Sequence, residues 1–113
     1  MRAVVVMSGK ELAARVKVAD SFFSRLKGLL GAASLAQGEG LWIIPCRGVH
    51  TFGMRFRIDV IFLDRELRVV ALVLGLLPNR ITPVYHRAAS VLELPAGTLS
   101  GMPLAIGDRV VIA

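Results

Sequence analysis

The sequence predicts an α+β, predominantly β fold: a compact single domain built on an antiparallel or mixed sheet, or a small barrel, with one short helix near residues 21–31. Three observations predict it. Short β-branched or alternating apolar segments recur at 2–7, 12–18, 41–44, 58–63, 67–74, 91–94 and 109–112. Turn residues separate them, and helical spacing of apolar residues occurs at one place. The length of 113 residues suits one domain, 1–113, that buries roughly two-thirds of the surface its unfolded chain exposes.

In chain order, residues 2–7 are β-branched and end at Ser8-Gly9, and 12–18 alternates Leu12, Ala14, Val16, Val18 against Ala13, Arg15, Lys17. That reads as a hairpin with one wet face. Asp20 or Ser21 can cap a helix in which Phe22, Phe23, Leu26, Leu29 and Leu30 share a face, with Gly28 tolerated and Gly31 as the stop. Residues 32–40 form a small-residue loop without the Lys-Ser/Thr ending of a phosphate-binding loop. Residues 41–44 make a strand stopped by Pro45, and 58–63 another, interrupted by Asp59. Asp64-Arg65-Glu66 turns tightly into 67–74, whose two apolar faces predict a central, inaccessible strand. Residues 75–90, with Pro78 and Pro83, form a long irregular connection; 91–94 returns to strand, 95–98 turns and 109–112 closes the chain.

Composition narrows the function classes. Hydrophobic residues make up 55% and the mean hydropathy is +0.66. The longest uncharged apolar run, 69–77, is nevertheless well short of the roughly 20 residues of a membrane span. The start of the chain carries neither the apolar length nor the cleavage site of a secretory signal, and a lone cysteine suits a reducing compartment, so a cytoplasmic location is expected. The net charge of +6 raises the question of a polyanion partner, but among the basic residues only 47–57 is locally dense and aromatic residues are few.

Most reactive side chains fall in 45–64. Cys46 and His50 are the candidate catalytic pair, a thiol whose pKa an imidazole would lower, with His86 or Asp59 needed to orient the ring. No metal site is expected, since one cysteine and two histidines fall short of a paired ligand set, and no cofactor motif stands out. His50, Met54, Arg55, Arg57 and Asp59 are the ligand-binding candidates. Asp59, a carboxylate inside an apolar strand, needs a partner, and an arginine fork that ties down the loop is the favoured one. Glu93 poses the same question, although alternation can turn it to solvent. Arg47, Arg55 and Arg57 would suit an anionic ligand.

The motifs Arg25-Leu26-Lys27-Gly28-Leu29-Leu30, Gly38-Glu39-Gly40-Leu41-Trp42-Ile43, Pro45-Cys46, His50-Thr51-Phe52, Met54-Arg55-Phe56, the run from Ile58 to Asp64, and Val91-Leu92-Glu93-Leu94-Pro95-Ala96-Gly97-Thr98 with Gly107-Asp108 occur in one order. Together they resemble the family called domain of unknown function 192, over about residues 25–111. The resemblance implies a small, mainly β domain with a short helix and brings no established activity. Arg57 stands where that family often has a proline, and Asn79 where it often has an aromatic residue. Three function readings follow, in order of preference. The first is a non-catalytic module that binds a small anionic ligand or a protein partner between the 45–57 loop and the 75–90 connection. The second is a thiol-dependent hydrolase or transferase using Cys46 and His50, and the third a nucleic-acid binder.

Overall fold

Alternation in the first twenty residues builds three strands rather than two. In the computed structural model, which describes residues 1–113 apart from the side chain of Phe22, β1 (Ala3–Val5) and β2 (Glu11–Ala13) form the expected antiparallel hairpin. The amides of Ala14 and Arg15 then both donate to the Gly38 carbonyl, at 2.8 and 2.9 Å, and turn the chain out of the hairpin. As a result β3 (Arg15–Ala19) pairs in parallel with β4 (Glu39–Ile43) in a different sheet. Between them lies α1 (Phe22–Lys27), opened by a reciprocal cap in which Ser21 Oγ accepts from the Ser24 amide and Ser24 Oγ accepts from the Ser21 amide. The helix is shorter than expected because Gly28, at φ 49° and ψ −125°, already leaves helical geometry ahead of Gly31. The part assigned to Phe22 on its apolar face lies outside the described residues.

Then come β5 (Ile58–Leu63), β6 (Val69–Leu76), β7 (Ser90–Pro95) and β8 (Val110–Ile112). The larger sheet runs β3-β4-β7-β5-β6, mixed because only β3 and β4 are parallel; the smaller runs β2-β1-β8. Both sheets keep open edges, so the fold is mainly β with no closed barrel. The strand expected at the centre, β6, is an edge, and its Leu74 is 55% exposed. Its double apolar pattern has a local cause: the register shifts between Phe62 and Leu63, so Val69 serves one core cluster and Ala71 the other. The central places go to β5 and β7, whose flanks are both paired. No helix is long and apolar enough to cross a membrane.

The larger sheet is covered on both faces. Ile61, Leu63, Leu92 and Leu94 pack against Ala3, Val5, Leu12, Ala13 and Val110 of the smaller sheet. Ile58, Val60, Phe62 and Val91 pack beneath Val49, Met54 and Ala88, joined by Leu29, Leu30 and Tyr85 from the loops. Gly40 permits close contact on the first face, since a Cβ there would stand 3.2 Å from Leu94 Cδ2 and 3.3 Å from Ala13 Cβ. Gly40→Ala is therefore expected to destabilise the fold by about 1–3 kcal/mol in urea unfolding, as overpacked cores do.

Asp59 pairs in register with Leu94 and so points toward the smaller sheet, away from the 45–57 loop. Its carboxylate accepts from the amides of Gly75 (2.8 Å) and Leu99 (2.9 Å). The arginine fork is not formed, because the strand's alternation sends this carboxylate to the other side of the sheet from the loop that carries the arginines.

Candidate functional site

The residue around which a site can be built is Glu93. Its neighbours in register are Leu41 on β4 and Val60 on β5, both buried on the face covered by α1 and the 45–54 loop. The expectation that alternation would turn Glu93 to solvent fails because both faces of the sheet are covered: it is 3% exposed. Among the described residues its carboxylate has neither a hydrogen-bond nor an ion-pair partner. Burial raises its pKa from the ordinary carboxylate range to about 7. Buried polar groups without partners are uncommon, and a perturbed acid in a cleft is a marker of function.

Above Glu93 lies a cavity of about 290 Å³. One wall is Arg25, Leu26 and Lys27 of α1 with residues 28–30; the other is Pro45, Cys46, Gly48, Val49, His50 and Met54. Arg25 ties the walls together, its Nη1 donating to the Pro45 carbonyl at 3.2 Å, while its Nε is buried without a partner. The second wall is braced from behind. The Thr51 amide donates to the Arg80 carbonyl, and Thr51 Oγ1 donates to the Leu77 carbonyl at 2.6 Å. Thr82 Oγ1 accepts from the Val49 amide at 2.9 Å. These bonds explain why the 75–90 connection, expected to face the 45–57 loop across the site, does not line the cavity: its residues 77–82 back the loop instead, and the helix supplies the opposite wall.

The candidates from the sequence separate accordingly. Cys46, His50 and Met54 line the cavity. Arg55 and Arg57 are exposed and outside its lining, as is Arg47, and Asp59 faces the other side of the sheet. Cys46 Sγ donates to the Gly48 carbonyl at 3.1 Å and makes no hydrogen bond to His50, whose ring stacks on Phe52 at a centroid distance of 5.6 Å. Burial, with the nearby Glu93, pushes the Cys46 thiol up, against the pull of the Gly48 contact and Arg25. The site therefore holds a thiol with a raised pKa near Glu93, and the sulfur is hydrogen-bonded to the Gly48 carbonyl rather than to the imidazole that was expected to activate it. Among the described residues no group of three His, Cys, Asp or Glu side chains could hold a metal. Sequence reasoning noted Arg25 only within a motif and did not make it a site candidate; the pairing over 20 residues that makes it a strut has no local signature.

Known proteins of similar sequence and shape place the chain. A UPF0127 protein of Thermococcus sibiricus is 34% identical over 107 residues, covering 90% of this chain and 68% of that protein. A UPF0127 protein of Pyrococcus furiosus is 32% identical over 110 residues, covering 93% and 92%. A crystal structure of a protein of unknown function from Novosphingobium aromaticivorans superposes with a TM-score of 0.86 at 20% identity, covering 99% of this chain and 84% of that one. A Sinorhizobium meliloti protein described as a candidate transcription regulator superposes with a TM-score of 0.81 at 23% identity, covering 97% and 89%. At these identities the two structures establish the likeness of fold. Residues 3–112 match the family described as DUF192, Uncharacterized ACR, and the chain belongs to that family.

Proposed function

We infer that the protein is a non-catalytic small-ligand-binding domain whose site is the cavity over Glu93. The observation that carries this reading is the buried carboxyl without an internal partner at the floor of a largely apolar cleft, an arrangement that leaves its hydrogen-bonding capacity for an occupant. The chemistry favours an occupant whose inner end donates hydrogen bonds or carries positive charge, set against the apolar surfaces of Leu29, Val49 and Met54. This differs from the anionic ligand that the 47–57 arginines suggested, because those arginines do not line the cavity. A cytoplasmic setting belongs to the same reading, supported by the single free cysteine.

A thiol nucleophile draws no support from the Cys46 geometry, in which burial disfavours the thiolate and His50 is engaged elsewhere. Nucleic-acid binding has the net charge of +6 and the exposed Arg47, Arg55 and Arg57 behind it, and the description of the Sinorhizobium protein carries it no further at 23% identity.

The test is titration of the protein with n-butylammonium and with butyramide, followed by amide NMR. Saturable shifts are expected at Cys46, His50, Met54 and Glu93, with butylammonium binding weakened about tenfold in Glu93→Gln, the loss of one charge-assisted hydrogen bond. Absence of saturable shifts at these residues with either probe, or equal butylammonium affinity in Glu93→Gln, would overturn the reading.

A further inference from the structure

We propose that a second cavity beside the first is an oxyanion subsite, which receives the carboxylate or phosphate end of an elongated ligand whose other end lies against Glu93. The proposal rests on the Glu93 cavity being the ligand site and adds the chemistry of the ligand's far end.

The second cavity has a volume of about 490 Å³ and is lined by Arg15, Lys17, Lys27 and Glu39 among others; Lys27, Gly28, Leu29 and Leu30 line both cavities. The sheet register explains how the two are joined. Lys17 on β3 stands beside Leu41 on β4, which stands beside Glu93 on β7, so the three form a row across one face of the sheet. Cation, apolar residue and buried acid thus follow one another, with the Cα atoms of Lys17 and Glu93 about 10 Å apart at two strand spacings. Arg15, two residues before Lys17, shares that face and stands beside Glu39.

The charges in the second cavity are unequal, with three cations against one carboxylate. Glu39 Oε1 is engaged by the Ala36 amide at 2.8 Å, and Arg15 Nη2 is steadied by the Gln37 carbonyl at 3.3 Å. Among the described residues, none of Arg15, Lys17 and Lys27 has a carboxylate within ion-pair distance. An anion in this concave site gains from all three cations, and the lining's net positive charge attracts it, since Glu39 offsets only one of them. The first cavity alone is at the lower limit for binding a small molecule, about 300 Å³, so a ligand that continues into the second also explains its small size.

The experiment uses the full chain and four probes at constant ionic strength: inorganic phosphate, acetate, n-butylammonium and 6-aminohexanoate. Either anion alone is expected to shift the amides of Arg15, Lys17 and Lys27 saturably without moving Glu93, and phosphate against acetate tells which oxyanion is preferred. The double variant Lys17→Gln, Lys27→Gln, at two exposed positions, should weaken anion binding about tenfold or more, and 6-aminohexanoate should shift both sets of residues and bind about tenfold tighter than butylammonium. Shifts that chloride reproduces at equal ionic strength, or anion affinity unchanged in the double variant, would overturn the subsite while butylammonium binding at Glu93 left the first cavity's role intact. Anion binding retained with no butylammonium binding would overturn the Glu93 reading and with it the spanning ligand.

Discussion

Asp59→Ala is expected to lower the free energy of unfolding by about 3–5 kcal/mol, measured by urea denaturation at neutral pH. The carboxylate accepts from two backbone amides, Gly75 on the edge strand and Leu99 in the turns after β7, and is itself 1% exposed. Truncation leaves both amide donors without their acceptor beneath the smaller sheet, and each bond to a charged group is worth about 1.5–3 kcal/mol. In a domain whose whole stability is of the order of 5–15 kcal/mol, that loss is large. Asp59→Asn should cost less, because the amide oxygen still accepts one of the two bonds. A loss below about 1 kcal/mol for alanine would show that the amides find other partners and that Asp59 is not the tie between these segments.

Glu93 has the opposite relation to stability. Its pKa of about 7 in the folded protein lies above the ordinary 4.5 of the unfolded chain. Between those values the folded state keeps a proton that the unfolded chain has released, so the stabilising contribution is fully present below pH 4.5 and is lost as pH rises through 7. At about 1.4 kcal/mol per pH unit, the wild-type protein should lose roughly 3 kcal/mol over this window relative to Glu93→Gln. Subtracting the two pH profiles of unfolding free energy cancels the titration of the other carboxyls. Parallel profiles would show that the Glu93 carboxyl is solvated.

How much of this was legible in the sequence differs by element. The residues of β5 could be read to their ends, because a short, almost continuously apolar run that stops at Asp64 is a local signal of a strand buried on both faces. The helix start at Asp20 or Ser21, the strand end before Pro45 and a closing strand at 109–112 were equally local, and the structure has the cap at Ser21 and that strand at Val110–Ile112. The transfer of β3 to a second sheet was not, since it depends on one carbonyl, Gly38, meeting the amides of Ala14 and Arg15. The edge position of β6 was hidden for a similar reason: a bulge at its start, where Val70 is the extra residue, changes which cluster each residue serves, and an apolar pattern on both faces then resembles a central strand.

The candidate site divides along the same line. Cys46, His50 and Met54 were recognisable as reactive or adaptable side chains near a proline turn, and the cavity contains all three. Arg25 and Glu93 became site residues only when α1 closed over the sheet, and the arginines of the 47–57 loop, conspicuous in the sequence, stayed on the surface. Residue type was readable from the chain, whereas the face of the sheet on which each residue falls had to come from the fold.

The most direct test is the ¹³C titration of the Glu93 side-chain carboxyl, with and without n-butylammonium. A pKa of about 7 in the free protein, drawn downward as the ammonium probe binds and favours the carboxylate, is the result that a buried acid awaiting a donor requires. A pKa near 4.5, the same with and without the probe, would contradict it.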